Sequence, residues 1–280
     1  FSTGHGHLRE PQSINAYSAL AAIAIQSDQN DQHGGQSIPA FDFYMAPGVL
    51  KTFKKEYKQA LYELLDFTDF ISFVNMDKVA MAIDKLNSIH VDISDFDNFY
   101  KESKEVRRIF EKAYDTALAK TDRATYQAME AFVHNLNTMH SRAGAQVPFS
   151  SINFGTDTSP EGRMVMKNYL LSVDAGLGKN ETPIFPISIF KIKEGVNYNP
   201  GDPNYDLFRL SCKVSAKRLF PNFSFMDSPF NAQYYKGDYN TEVCYMGCRT
   251  RVIGNVVDPN KAVTPGRGNL SFTSINLPRL

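Results

Sequence analysis

The sequence predicts an α/β fold, with a mainly helical first half and a second half built on parallel strands. Three observations carry this. Apolar residues recur at helical spacing through most of residues 13–140. After residue 141 strand-like and helix-like segments alternate, the order that gives a parallel sheet with crossover helices. No apolar run approaches the about 18 residues needed to cross a membrane; the longest, ALAAIAI at 19–25, is far too short.

The elements follow in order. Residues 1–12, FSTGHGHLREPQ, are polar and read as loop. Residues 13–27, SINAYSALAAIAIQS, read as a buried Ala-rich helix with Ser13 as N-cap. Residues 28–39, DQNDQHGGQSIP, are a polar loop. Residues 49–65 form an amphipathic helix: Leu50, Phe53, Tyr57, Leu61 and Leu64 make its stripe, and Lys51, Lys54, Lys55 and Lys58 lie mostly off it. Residues 69–90 and 101–119 read as helices with charged faces, and 121–140 as a further long helix. SRAGAQ at 141–146 is a small-residue loop, and VPFSSINF at 147–154 is strand-like. Thr158 or Ser159 then caps a helix in which Pro160 suits the first turn and Glu161 opposes the dipole. FPISIFKI at 185–192 reads as a strand and residues 204–220 as a helix. RTRVIGNVV at 249–257 and NLSFTSINL at 269–277 read as strands around the turn TPGRGN.

A chain of 280 residues makes one large domain or two small ones. Lys+Arg and Asp+Glu are 30 each, so nothing favours general polyanion binding, and a direct nucleic-acid partner would need a local basic patch. Three cysteines, Cys212, Cys244 and Cys248, are too few and too odd in number for a disulfide scaffold and fit a reducing, cytoplasmic setting. The chain begins at Phe1 and ends on NLPRL, which reads as a piece cut from a longer protein.

Two of the cysteines lie together in TEVCYMGCRTRV at 241–252. A zinc clip needs a second ligand pair, which the chain does not offer nearby. A disulfide across this spacing conflicts with a reducing compartment. A reactive thiol on a tight loop is the third reading, because Gly247 permits a turn before Cys248; an ordinary buried cysteine is its rival. Spacing does not choose between these. His5 and His7 would need further ligands to hold a metal, and His33 and His140 are isolated. The loop at 141–150, SRAGAQVPFS, reads as either a connector or a ligand-contacting loop.

Read together, three strings resemble the anaerobic, class III ribonucleoside-triphosphate reductases: TMHSRAGAQVPFSSINFGTDTSPEGR at 138–163, VCYMGCRTRV at 243–252 and GRGNLSFTSINLPR at 266–279. REPQSINAYSALAAIAIQSDQNDQHGGQSIPAFD at 9–42 and LGKNETPIFPISIFKIKEGVN at 177–197 match in the same order, so the resemblance covers essentially the whole chain. The fold it implies is part of a ten-stranded α/β barrel of the ribonucleotide reductase and glycyl radical enzyme type. Residues 1–140 would form the helical dimer and effector region, and 141–280 the barrel strands and a cysteine loop. The family's glycyl radical and four-cysteine zinc site would lie in a C-terminal region outside this chain, and its other active-site cysteine upstream of Phe1.

The resemblance also implies roles. Cys248 matches the cysteine that becomes a thiyl radical and takes the 3′-hydrogen of a ribonucleoside triphosphate, after which the 2′-hydroxyl leaves as water. A weak S–H bond and a tight loop suit that step. Met246 and Asn269, the latter 21 residues beyond Cys248, match members that use formate as reductant. Members reduced by a thioredoxin-like partner need a further cysteine, and Cys212, on a predicted helix, does not suit that role. Ser141, Arg142, Ala143, Gly144 and Gln146 match the substrate specificity loop. Glu10, Ser13, Lys51, Lys55 and Lys58 are the candidate contacts to dNTP or ATP effectors, with a solvated lysine face as the alternative. A homodimer and a radical-SAM activating enzyme are the implied partners, with no membrane and no direct nucleic acid. As an isolated piece the chain is expected to be inactive, leaving a nucleotide-binding and dimerisation module as one alternative and another glycyl radical enzyme as a second.

Overall fold

The computed structural model describes residues 8–32, 34–99, 103–140, 146–247, 250–268 and 273–279. Helix α1 (Ile14–Asp31) leads into strand β1 (Gln36–Ile38), then α2 (Phe41–Phe67), α3 (Met76–Asp84) and α4 (Lys104–Thr138). Strand β2 (Ser150–Phe154), α5 (Pro160–Ala175), β3 (Ile187–Ile192), α6 (Tyr205–Arg218) and β4 (Asn222–Phe225) follow. A short helix α7 (Pro229–Ala232) precedes β5 (Cys244–Met246) and β6 (Thr250–Val252). Strands β1 to β4 form one parallel sheet in sequence order, and β5 and β6 form a separate antiparallel pair.

The α/β class and the parallel sheet are as the sequence predicts. What is described of the sheet is four strands with open edges at β1 and β4, so no closed barrel is formed by the described residues.

The helix caps follow from local chemistry. Ser13 caps α1 by accepting from the Ala16 amide, and Ser159 caps α5 by accepting from the Gly162 amide at 3.0 Å. Helix α1 is then bound to its neighbours by buried polar contacts. The Ile14 amide donates to Thr52 Oγ1 at 2.9 Å, and Ser18 Oγ donates to the Ala128 carbonyl at 2.8 Å. Gly48 allows α1 and α2 to approach closely, since a Cβ there would lie 2.8 Å from the Tyr17 ring.

Several element boundaries differ from expectation. Helix α2 begins at Phe41, eight residues before the predicted start, and runs through Pro47. Pro47 costs one backbone hydrogen bond, which the stacking of Phe43 on Tyr239 at 4.1 Å and the burial of Phe41 and Met45 offset. Only Met76–Asp84 of the predicted 69–90 helix forms, because Asp69 takes a left-handed backbone and Asn75 caps late, accepting from Lys78 at 3.1 Å. The two helices predicted over 101–119 and 121–140 are one continuous α4, since no Gly or Pro interrupts it. Strands β1 and β4 have three and four residues, too short for a period-2 pattern to show. Strand β6 stops at Val252, and Asn255 Oδ1 then accepts from the Val257 amide at 2.9 Å and turns the chain. No strand forms in the described part of 269–277, where residues 273–276 lack a neighbouring strand to pair with and Leu277–Arg279 is a 3-10 turn.

The two faces of the sheet differ. In-register parallel pairing places Ile152, Phe154, Ser188 and Phe190 on one face. That face carries the core: Phe154 and Phe41 meet Tyr169 edge-on, Phe41 stacks on Phe132, and Phe190 stacks on Phe208 of α6. The Tyr169 hydroxyl and Ser188 Oγ share a 2.6 Å hydrogen bond, which satisfies two polar groups inside it. The other face carries Ser37, Ser151, Asn153, Lys191 and Ser224 beside Ile187 and Ile189, so it is the more polar of the two. No helix among the described residues is long and apolar enough to cross a membrane.

Candidate functional site

The β5–β6 hairpin lies on the polar face of the sheet. Cys244 pairs with Val252 and Met246 with Thr250, and Gly247, with φ of +63°, opens the turn toward Cys248. Among the described residues the hairpin has no strand neighbour in the main sheet, so its outward backbone groups must be satisfied otherwise. Side chains do this. Asn153 accepts from the Tyr245 amide at 2.8 Å through Oδ1 and donates to the Tyr245 carbonyl at 2.9 Å through Nδ2. Ser37 Oγ also donates to the Tyr245 carbonyl at 2.8 Å. The Gly247 amide donates to Ser151 Oγ at 3.0 Å.

A buried charge cluster holds the chain entering the hairpin. Lys191 Nζ lies 3.0 Å from Glu242 Oε2, and both side chains are almost fully buried. Lys193 Nζ adds a contact to Oε1 at 3.3 Å, and Thr156 Oγ1 donates to Oε2 at 2.9 Å. Burial by itself would raise the Glu242 carboxyl, but the two lysines and the donated hydrogen bonds hold it below the usual carboxylate range. Thr264 Oγ1 donates to the Glu242 carbonyl at 2.7 Å, and the Tyr44 hydroxyl donates to Asn240 Oδ1 at 2.7 Å.

Beside this cluster Asp42 Oδ2 accepts from the Gly155 amide at 2.8 Å and from the Asp157 amide at 3.1 Å. Burial pushes the Asp42 carboxyl up to about 6, against those hydrogen bonds and the pull of Lys191. Gly155 is required there: its φ is +135°, and a Cβ would lie 2.6 Å from the Lys191 carbonyl oxygen.

Of the predicted catalytic residues, Met246 is on β5, partly buried beside the turn. Cys248 and Asn269 lie outside the described residues, as do Ser141, Arg142, Ala143 and Gly144 of the predicted specificity loop. Gln146 is described and exposed. The roots of that loop are fixed on both sides. Asn137, near the end of α4, accepts from the Ile184 and Phe185 amides at 3.0 Å each. The Phe149 amide donates to Gln29 of α1 at 2.9 Å, and Gln29 reaches back to the Val147 carbonyl at 3.5 Å.

Cys244 is buried, and burial pushes its thiol up to about 11, so it stays protonated at neutral pH. Cys212 is exposed on α6, which covers the opposite face of the sheet from the hairpin. No group of three metal-ligating side chains occurs among the described residues. His5, His7 and His33 lie outside them.

The predicted effector residues divide. Lys51, Lys55 and Lys58 line one cavity of about 810 Å³ on the outer side of α2, with Gln12, Lys54 and Tyr62 among its walls. Lys51 is ion-paired with Glu10 and donates to the Pro11 carbonyl at 3.0 Å, and Lys58 pairs with Asp84 at 2.7 Å. Glu10 is held below its usual value by its hydrogen bond to Lys51. Ser13 caps α1 instead of lining the cavity. Sequence reading did not assign Lys54 or Asp84 to this site; Lys54 donates to the Asp84 carbonyl at 2.8 Å. It also missed Ser151, Asn153, Lys191 and Glu242. The available signal was SINF at 151–154, whose polar residues alternate within a strand otherwise reading as buried.

A parallel sheet with a helical layer on one face and a cysteine-bearing hairpin clamped to the other defines an α/β protein. The profile for anaerobic ribonucleoside-triphosphate reductase matches residues 1–280, and the chain belongs to that family. It is 27% identical to the anaerobic ribonucleoside-triphosphate reductase of Escherichia coli (strain K12), with all of this chain and 32% of the relative aligned. The Salmonella typhimurium enzyme of the same name is 28% identical over 32% of its length, and the Enterobacteria phage T4 one 27% over 38%, again with all of this chain aligned. The chain thus spans about a third of the length of the curated relatives it matches.

Proposed function

We propose that this chain is the part of an anaerobic ribonucleoside-triphosphate reductase that presents the radical-carrying cysteine to the substrate ribose. The observation that carries the reading is the family match over residues 1–280, which include the hairpin leading to Cys248. Cys248 is the hydrogen-abstracting residue, with Met246 and Asn269 beside the reductant. A fixed hairpin suits this role, because a thiol must meet one hydrogen of the ribose with little positional freedom. A glycyl radical, supplied from outside this chain and installed by a radical-SAM activating enzyme, provides the oxidising equivalent.

The chain's own residues do the positioning. Asn153, Ser151 and Ser37 hold the hairpin, and Glu242 with Lys191 holds the segment entering it. The polar sheet face forms one wall of the site, completed in the whole protein by the remaining strands of a ten-stranded barrel. The sequence match of Met246 and Asn269 favours formate as reductant. Zinc belongs to the C-terminal region of the whole protein. The setting is cytoplasmic and the assembly a homodimer. In the activated full-length protein, kept anaerobic, ribonucleoside triphosphate should be reduced only when formate is present, with labelled formate appearing as carbon dioxide. Reduction by a dithiol without formate would overturn the assignment of reductant.

The loop at 141–150, with Ser141, Arg142, Ala143, Gly144 and Gln146, links effector to substrate choice in this reading, and Glu10 and the lysines serve the effector, with Ser13 capping α1 beside them. The four lysines of the cavity on α2, which outnumber its acidic residues Glu63 and Asp84, support a triphosphate ligand there. The double change Lys55→Ala and Lys58→Ala should weaken dATP or ATP binding at least about tenfold, as expected for losing two charged contacts. Unchanged affinity by calorimetry would remove these lysines from the effector site. Tight nucleotide binding by the isolated chain without turnover would support its use as a binding and dimerisation module.

A further inference from the structure

We propose that Asn153 is a positioning residue for hydrogen abstraction, its amide taking the place of a strand neighbour, which the cysteine hairpin does not have among the described residues. The inference rests on the reading that Cys248 abstracts hydrogen.

The hairpin is the only described part of the β structure outside the main sheet, so the sheet's ladder does not set its register. Its position is set by the polar groups that meet its edge. A buried amide that both accepts from and donates to one residue's backbone fixes that residue along the strand and across it. Asn153 does this to Tyr245, at 2.8 and 2.9 Å, and is itself fully buried. Nδ2 is also within 3.1 Å of Ser37 Oγ and 3.2 Å of the Ile38 carbonyl, which orients the amide so that Oδ1 faces the Tyr245 amide. Ser151, two residues earlier on the same face of β2, holds Gly247. Both contacts fall within three residues of Cys248, with the more distal, at Gly247, immediately before it.

Aspartate at 153 is nearly isosteric. It still accepts from the Tyr245 amide, but it sets a carboxylate oxygen against the Tyr245 carbonyl and loses both donors. Alanine removes the clamp and leaves two buried backbone groups with fewer partners. Either change releases the hairpin without touching substrate.

The test uses the full-length activated protein carrying Asn153→Asp or Asn153→Ala, with ribonucleoside triphosphate bearing hydrogen or deuterium at C3′. The expected result is glycyl radical at the wild-type yield by electron paramagnetic resonance, KM within about twofold of wild type, kcat lower by about tenfold or more, and a larger 3′-deuterium isotope effect on kcat. The isotope effect separates positioning from loss of folded enzyme, because a smaller active fraction lowers kcat without changing it. A fall in kcat with the wild-type isotope effect overturns the proposal, as does wild-type kcat in both variants. If the Asn153 variants do not accumulate, Ser151→Ala, which frees only the Gly247 amide, carries the same isotope test with the same expected direction. Turnover by a Cys248→Ala protein would refute the underlying reading instead, whatever the Asn153 variants do.

Discussion

Cys248→Ala in the full-length protein is expected to abolish deoxyribonucleotide formation, by more than about 1,000-fold, because a positioned reacting group is removed. The glycyl radical is expected to form in this variant, because in the proposed mechanism its installation does not require this thiol. The neighbouring thiol cannot substitute. Cys244 is buried on β5 and belongs to the strand that leads into the turn, not to its tip. Cys212 lies on the helix-covered side of the sheet. The measurement is product formation by chromatography alongside the radical signal by paramagnetic resonance. Retained product formation removes Cys248 from the mechanism. Loss of the radical signal as well would mean that the variant fails before the chemical step.

Glu242→Ala is expected to give the largest loss of stability. It leaves Lys191 charged and buried beside Asp42, and breaking a buried ion pair from one side costs about 3–5 kcal/mol. The Glu242 side chain binds two lysines and Thr156, so three groups lose a partner at once. Lys191→Met with Glu242→Leu removes both charges together and should recover most of that loss, because the desolvation cost of the pair disappears with it. The pH dependence has a definite sign. The folded-state carboxyl is held below its ordinary value of 4.5, so the gain is present above that value and is lost as pH falls through the lowered one. Denaturant midpoints across pH 3 to 7 check this. Single and double variants of equal stability would refute the buried-charge account.

Most of the fold was legible because long helices and buried strands write periodic patterns. Ser13 and Ser159 announce their helices by cap chemistry, and both act as caps. Leu61 and Phe53 mark the buried stripe of α2, and both are fully buried. What the pattern hides is short or cooperative. Strand β1 has only Gln36, Ser37 and Ile38, and its pairing partner lies more than a hundred residues away. The periodic stripe starts this helix at residue 49, yet tertiary packing of Phe41 and Phe43 carries it back across Pro47. At the site, the string MGCRT singles out Cys248 through a family resemblance alone, and that residue lies outside the described ones. The groups that hold its hairpin were not legible, since Ser37, Asn153 and Glu242 gain meaning only when the sheet brings them together. Lysine charge on α2 was visible from spacing, but the pairing of Lys58 with Asp84 across α3 was not.

The contacts that seat the hairpin span great distances along the chain: 208 residues from Ser37 to Tyr245, 92 from Asn153 and 51 from Lys191 to Glu242. Each comes from a different strand of the sheet, β1, β2 and β3 in turn. Closing such loops costs entropy that local structure cannot repay. The β5–β6 hairpin is therefore seated only on a sheet that is already assembled, so order of assembly alone keeps it from being presented before the wall behind it exists.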